Sequence, residues 1–417
     1  MHPDGTLVYR TGLTDTGEVA DGVSAVLLNG GHHNRDREYE FVTTFEAVLK
    51  PIKHFEVRAN YSWAHYNQQN LNRSVDVLYS RNPGETITMD NGRTRGNYLS
   101  EIQNNQIRQT FNLYGTYDNT FANAHSVKVI VGGNYDYKYF KKLGMKRNGL
   151  LSESLDDFNL AKGDDISITG GQEEYAILGF FYRLNYGYKD RYLFEASGRY
   201  DGSSRFAPGN RWRMFPGVSA SWRISQENFL KNSKVFNELK LRASYGQTGN
   251  QEGIRLYDYI QLLKFRDDGW GTKLIYPFGN GSQSQAMGLD VLAGVDRTWE
   301  ILENVNVGVD AAFLDSRLGF SFDYFVKMNN NMLIPVTYPS MLGAEAPYSN
   351  SGKLRTNGFE LTLNWTDKIG NVEYSAQFQL TDAVNKLVEY GGADTYKLGL
   401  NETREGYPMN SYFENRN

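Results

Sequence analysis

Few residues in this chain could do covalent or metal chemistry. Cysteine is absent and histidine occurs only six times, which excludes disulfides, thiolate catalysis and cysteine-based zinc sites. The pair His32-His33, followed by Asp36, raises the idea of a metal site. Adjacent side chains of an extended segment point in opposite directions, however, so we expect a loop pair that holds no metal.

Two acidic pairs raise calcium binding as a second chemistry. Asp156-Asp157 and Asp164-Asp165 supply carboxylates within one polar stretch of the chain. They lack the alternating ligand spacing of an EF-hand loop. We expect solvated loop residues here, and calcium binding by these loops stays open.

A serine nucleophile is also not supported by the local pattern. The run Gly217-Val218-Ser219-Ala220-Ser221 lacks the second glycine of the Gly-x-Ser-x-Gly elbow. A barrel hydrolase would need a serine and a histidine close on one wall, whereas His54, His65 and His125 fall at turns or strand ends. We therefore predict no enzyme activity, no catalytic residue and no cofactor.

Charged residues in the segment 174–224 are candidates for solute contact, although a role in the wall itself is favoured. Arg183, Glu195, Arg199 and Arg223 alternate with apolar residues, and so share one face of predicted strands. They could line a solute path, or simply supply a polar wall.

Three loop residues could touch a substrate or a partner protein: Asp201, Arg205 and Trp270. An aromatic ring stacks well on a sugar, although a loop tryptophan is as often simply packed. The predicted contact residues are Arg183, Arg199, Asp201, Arg205 and Trp270.

The elements that must position these side chains are β-strands. In the segment 176–188, Leu178, Phe180 and Tyr182 fall on one face, while Arg183 and Asn185 fall on the other. A period of two with one apolar and one polar face predicts a strand between two different media. The same pattern recurs along the chain and gives about twelve strands in about six hairpins.

The connections between these strands alternate in length. Short turns are predicted at 50–54, 118–125, 189–191, 314–317 and 366–371, and long polar loops at 67–104, 142–173, 248–297 and 329–356. The loop at 201–211 is an exception, being no longer than the turn at 225–238, in which we expect one short helix. Short turns on one side and long loops on the other are typical of outer-membrane barrels.

Composition agrees with a barrel that crosses a membrane by strands. The 417 residues have a mean hydropathy of −0.56, an aromatic content of 14% and 29 tyrosines, and no apolar run is long enough for a transmembrane helix. Tyrosine favours membrane–water interfaces. The net charge of −4 gives no reason to expect nucleic-acid binding. A soluble β-sandwich, whose apolar faces would form a core, is the alternative fold.

Two long segments of the chain resemble the SusC/RagA family of TonB-linked outer-membrane transporters. They are GRYDGSSRFAPGNRWRMFPGVSASWRISQENF, which starts at Gly198, and LKLRASYGQTGNQEGI, from Leu239 to Ile254. Shorter matches surround Trp299-Glu300, the turn Leu314 to Arg317, and Asn357-Gly358-Phe359. The resemblance covers most of the chain from about Tyr39 onward.

The resemblance implies a barrel of about 22 strands closed around a plug domain. It also implies a Gram-negative, Bacteroidota-like outer-membrane location and TonB-driven import of large nutrients, either glycans or peptides. The implied partners are a SusD-like surface lipoprotein, the TonB complex (reached through a plug and TonB box) and outer-membrane lipid. The alternative function is a passive porin or an adhesin-like barrel without TonB coupling.

The chain departs from the family in lacking a recognisable plug, TonB box or signal peptide, and in having about twelve strands. We therefore expect an incomplete, antiparallel transmembrane β-barrel that forms an internal part of the larger one. In this organisation, residues 1–37 are loop or partial strand, residues 38–383 are barrel strands and loops, and residues 384–417 are a loop-like extracellular tail. Twelve strands alone cannot close a barrel of the larger size with unchanged tilt and shear.

Overall fold

A computed structural model describes most of the chain. The described residues are 31–75, 78–79, 87–88, 97–152, 154–231, 233–265, 275–277, 283–289, 291–336, 347–391, 401–409 and 411–412. Within these residues, no helix has the length and apolar character needed to cross a membrane.

Twelve long strands dominate the described residues. In chain order they are β1 His33–Ile52, β2 Phe55–Ser74, β3 Tyr98–Phe121, β4 His125–Asn148, β5 Ile166–Tyr188, β6 Tyr192–Ser203, β7 Trp212–Arg223, β8 Phe236–Asn250, β9 Glu300–Phe313, β10 Leu318–Pro335, β11 Tyr348–Ile369 and β12 Val372–Tyr390. They form one sheet in which each strand pairs with the next along the chain. The pairings from β5 to β12 are antiparallel. The predicted all-β antiparallel fold is confirmed.

The remaining elements are short. Four pairs of short strands join Leu78–Tyr79 to Ile87–Thr88, Leu263–Phe265 to Met287–Leu289, Ile275–Pro277 to Gln283–Gln285, and Asn401–Glu402 to Ser411–Tyr412. Single 3-10 turns occur at Phe158–Leu160, Pro208–Asn210 and Ile224–Gln226. The last of these is a short 3-10 helix at the start of the connection between β7 and β8, where one short helix was predicted.

Several strands are longer than the alternation pattern predicted. β2 continues to Ser74, β4 to Asn148 and β10 to Pro335, all within stretches expected to be loops. β1 begins at His33 and β12 ends at Tyr390, beyond the expected bounds of 38 and 383. The extensions of β1 and β2 are almost entirely polar, so no alternation marks them. Those of β4, β10 and β12 carry apolar residues such as Leu143, Met332 and Val384.

The contacts of the chain fall into two compact units. Unit 1 comprises residues 1–45, 61–110 and 137–174, and unit 2 comprises residues 46–60, 111–136 and 175–417. Unit 1 has a small core of Val75, Leu99, Leu150 and Ala161 among its loops. Amide side chains extend the strand pairing there, since Gln68 donates to Asp36 and Asn70 donates to Asn34, both at 3.0 Å.

Unit 2 has its own loop core and a well-defined outward face. Its loop core is formed by Phe206, Phe215, Ile254 and Trp299, with Leu333 packed against them. Along its strands, the large apolar side chains of one face are exposed. Phe180, for example, is 53% exposed. We call this apolar face outward and the polar face of the same strands inward.

Candidate functional site: the inward wall of unit 2

The strand registers align one inward residue from each of eight neighbouring strands of unit 2 in a single row. From β5 to β12 this row is Arg183, Ser197, Gly217, Gly246, Asn304, Lys327, Thr356 and Asn385. We call it the inward row. It places a cation near each end, with hydroxyls and amides between them.

Two neighbouring glycines form a notch in the middle of the inward row. No atom lies within 4 Å of where a side chain would begin at Gly246, and at Gly217 the nearest atom would be Ser197 Oγ at 2.9 Å. The notch opens on a recess of about 1360 Å³, whose walls include Ser197, Gly217, Gly246, Asn304 and Lys327. The volume is sufficient for a small-molecule ligand or for part of a larger one.

Ion pairs hold the predicted charged residues against the wall. The guanidinium of Arg199 donates two hydrogen bonds to the carboxylate of Asp201, at 2.8 and 3.0 Å. Gly179 lies directly opposite Asp201 on β5. A side chain at that position would start 2.1 Å from Asp201 Oδ1, so the glycine makes room for the pair. Arg183 lies 3.6 Å from Glu195.

Aromatic rings lie over glycines of adjacent strands on the same wall. Phe325 covers Gly358 on β11, and Phe215 covers Gly249 on β8. Both phenylalanines are almost fully buried. Because a glycine has no side chain, the ring can lie against the wall instead of projecting from it. Phe215 lines the recess in this position, whereas Phe325 lies beside Lys327.

A further inward cluster was missed by sequence reasoning. Arg242 on β8 donates to the carboxylates of both Asp310 on β9 and Asp323 on β10. Gly308 stands between Arg242 and Asp323 in the register and leaves space for their contact. The alternation pattern places all three charged residues inward, but nothing in a single sequence shows which strands pair in which register.

Three of the predicted contact residues meet in the recess. Arg183, Arg199 and Asp201 line it. Arg205 does not. Its guanidinium lies 4.5 Å from the ring centroid of Tyr175 and donates to the Ile254 carbonyl at 2.8 Å, so it braces loops. Trp270 lies outside the described residues.

Arg223, the other inward arginine considered, lies at the short-turn end of β7. It forms an ion pair with Asp190 in the turn between β5 and β6. This contact joins two neighbouring connections and does not line the recess.

Several of the residues considered for metal binding have ordinary partners. In unit 1, His33 Nε2 lies 3.1 Å from Asp156, and Arg73 donates to the same carboxylate at 3.0 Å. Asp157 accepts from the Asn159 backbone at 2.8 Å, and Asp165 accepts from Asn148 at 2.9 Å. Within the described ranges, no group of three histidine, aspartate or glutamate side chains is placed to hold a metal ion.

Known proteins similar to this chain are outer-membrane receptors. TonB-dependent receptor P26 of Formosa agariphila is 31% identical over 315 residues, which cover 73% of this chain and 31% of that protein. TonB-dependent receptor SusC of Bacteroides thetaiotaomicron is 26% identical over 332 residues, covering 78% of this chain and 32% of SusC. The chain thus spans about a third of the length of these curated relatives.

The solved structure of the RagAB peptide importer in its open-open state shares the fold. It superposes with a TM-score of 0.80 at 23% identity, over 97% of this chain and 42% of that one. The family model described as TonB dependent receptor-like, beta-barrel matches residues 4–411. The chain therefore belongs to the TonB-dependent receptor β-barrel family and is an outer-membrane protein.

Proposed function

We propose that this chain forms part of the barrel wall of a TonB-dependent importer of large nutrients, either glycans or peptides. The observation that carries the proposal is the inward row of unit 2, where hydroxyls, amides and charges face a recess behind an outward apolar surface. Family membership supplies the transport context.

The wall does no covalent chemistry in this proposal. Arg183 and Arg199 keep their charges paired with Glu195 and Asp201, so they hold the wall in shape and still offer unused N–H donors. A solute that passes the recess exchanges water for these donors and for the hydroxyls of the inward row. Many weak, replaceable contacts of this kind favour passage over retention.

We also propose the partners that the SusC/RagA resemblance implies. A SusD-like surface lipoprotein would deliver the solute at the long loops, and the TonB complex would supply the energy from the periplasm. The names SusC and RagAB among the relatives support this assignment. Arg205 and the loop core around Trp299 would then keep the long loops in place for delivery.

Uptake by intact cells tests the proposal. In a strain that relies on the full-length receptor, growth on the imported nutrient should be lost both when the receptor gene is deleted and when TonB is deleted. If uptake persists without TonB and rises linearly with nutrient concentration, the chain belongs to a passive porin. If receptor deletion changes cell attachment but not uptake, it belongs to an adhesin.

A wall variant tests the assigned contacts. Replacing Arg183 and Arg199 together by glutamine should slow energised uptake severalfold while the receptor remains at normal levels in the outer membrane. Lys264→Gln, on an exposed loop strand away from the recess, is the control and should leave uptake unchanged. Unchanged uptake by the double variant would show that these arginines only build the wall.

A further inference from the structure

Lys327 differs from the inward arginines of the same wall. Arg183, Arg199 and Arg242 each form an ion pair with an inward carboxylate. Lys327 is inward and exposed, and it forms no ion pair within the part of the chain that the structure describes. Its positive charge is therefore available to a bound molecule.

In the three inward rows centred on Lys327, strands β8 to β11 carry no acidic residue; Asp310, Asp323 and Glu360 lie further along the same face. In the inward row Lys327 lies between Asn304 on β9 and Thr356 on β11. From β8 to β11, the two adjacent inward rows contain Ser244, Asn306, Phe325 and Gly358 on one side, and Thr248, Leu302, Asn329 and Leu354 on the other. An anion at Lys327 would meet hydroxyls and amides rather than like charge.

Phe325 fixes the position of the Lys327 ammonium. The ammonium lies 4.5 Å from the ring centroid of Phe325, which is 5% exposed and rests over Gly358. A ring face attracts the cation but does not neutralise it. The ring also excludes water from one side of the ammonium, and removal of water strengthens the attraction of a charge for an anion.

Two carboxamides beside Lys327 lack donors. The side-chain oxygens of Asn304 and Asn329 are shielded from solvent and accept no hydrogen bond. A buried acceptor without a donor is costly, and such groups are rare. After a rotation of these side chains, a molecule carrying hydroxyl or amide donors would satisfy them.

Taken together, these features describe a binding site for one chemical group. We propose that Lys327, with Asn304, Asn329 and Thr356, forms a subsite for a carboxylate on a ligand that also carries hydroxyl or amide donors. An acidic sugar unit and a peptide C-terminus share this chemistry. The subsite rests on the proposed function in facing the solute path, but its ligand binding is measurable without transport.

Binding to the purified full-length receptor tests the subsite, with trigalacturonate and N-acetylated trialanine as carboxylate probes. Their neutral counterparts are the trimethyl ester of trigalacturonate and the C-terminal amide of N-acetylated trialanine. Lys327→Gln should weaken binding of a carboxylate probe about tenfold or more, because hydrogen bonds to charged groups contribute about 1.5–3 kcal/mol. Binding of the matching neutral probe should not change. Lys327→Arg, which keeps the positive charge, should retain more of the affinity for the carboxylate probe than Lys327→Gln.

A second lysine supplies the matched control. Lys240 is also inward but lies 3.9 Å from Asp310, so Lys240→Gln should leave the affinity of both probes unchanged. If only trigalacturonate binds more tightly than its neutral counterpart, the ligand is an acidic sugar. If only the trialanine probe does so, the ligand is a peptide C-terminus.

The subsite is rejected if the wild-type receptor binds neither carboxylate probe better than its neutral counterpart. It is also rejected if Lys327→Gln weakens charged and neutral probes equally. The TonB-dependent growth assay does not depend on either result. Failure of the subsite with intact TonB-dependent uptake would therefore leave the proposed function standing.

Discussion

The short turns and the long loops of this protein are held in place by different forces. In unit 2, backbone hydrogen bonds join neighbouring turns. The amide of Lys189 donates to the Ala124 carbonyl at 2.7 Å, and the amide of Thr366 donates to the Arg317 carbonyl at 2.8 Å.

The long loops of unit 2 also have backbone bonds, such as that from Gly294 to the Asp258 carbonyl at 2.8 Å, but they depend in addition on buried side chains around Trp299. The placement of a long loop therefore depends on a few buried side chains. The placement of a short turn depends mainly on backbone hydrogen bonds.

The two kinds of connection should therefore differ in how strongly substitutions affect their stability. Backbone bonds survive most substitutions, since every residue except proline can donate. A small side-chain core loses much of its stability with one residue, as cavity formation adds to the loss of burial. Substitutions in the long loops should therefore have larger effects than substitutions in the short turns.

The largest effect should come from Trp299→Ala. Trp299 is 5% exposed, packs 5.0 Å from Phe206 and 5.5 Å from Phe215 between ring centroids, and donates to the Arg211 carbonyl at 2.8 Å. Removing it should lower the unfolding free energy by about 3–5 kcal/mol. The measurement is guanidinium unfolding of the full-length receptor in lipid vesicles, with loop hydrogen exchange as a local readout.

A turn-side control sharpens this test. Phe229, between β7 and β8, is 73% exposed, and Phe229→Ala should change the unfolding free energy by less than about 0.5 kcal/mol. Equal losses in the two variants would contradict the distinction between loops and turns.

Gly249→Ala should have the next largest effect. A side chain at Gly249 would start 2.2 Å from the ring of Phe215, so it would displace a member of the loop core. We expect a loss of about 1–3 kcal/mol in vesicle unfolding experiments. Gly246→Ala, on the same strand but with open space around it, should be nearly neutral. Similar losses in both would show that backbone freedom matters more than the Phe215 contact.

Glu227 is an exception among the turns, because its side chain holds three groups. It accepts from the Tyr192 hydroxyl at 2.6 Å, from Trp222 Nε1 at 3.2 Å and from Arg191 at 3.1 Å. The hydrogen bond from Tyr192 is the main reason why the pKa of Glu227 is lowered, and the Trp222 and Arg191 contacts lower it further against the opposing effect of desolvation. The ionised carboxylate therefore stabilises the folded state.

The stabilisation by Glu227 should be lost on acidification. Since the folded pKa is depressed, the contribution is present above about pH 4.3, the usual glutamate value, and disappears as the pH falls through the folded value. Glu227→Gln should lower the unfolding free energy at neutral pH and make the unfolding free energy fall less steeply on acidification. The check is unfolding of both proteins from pH 7 to pH 3, and parallel acid profiles would rule out this role.

The smallest effect should be a gain, from Asp315→Gly. Asp315 has φ 58° in the turn between β9 and β10, a conformation that costs an L-residue about 1–2 kcal/mol. Glycine removes this cost but raises the entropy of the unfolded chain, so a net gain under about 1 kcal/mol is expected. Gly370→Ala, at φ 62°, should lower the unfolding free energy by a similar amount. A loss with Asp315→Gly in the same unfolding assay would mean that the side chain matters more than the turn geometry.

Much of the fold was predictable from the sequence because β-strands alternate their faces. Phe180, Tyr182 and Arg183 were assigned to the correct faces from the period of two alone. The bound of β2 was predicted too short, since residues such as Gln68 and Asn70 are polar on a stretch without alternation. Their partners Asp36 and Asn34 explain why pairing continues there.

The candidate site was likewise predictable only in part. The sequence by itself determined that Arg183, Arg199 and Asp201 could face a polar interior, since the face of each residue follows from its place in the alternation. Only the tertiary structure decided that Lys327 and Arg183 share one row, that Arg242 meets Asp310 and Asp323, and that Arg205 braces loops. The physical reason is register: alternation sets the face of a residue, but the pairing of strands distant in sequence sets its neighbours.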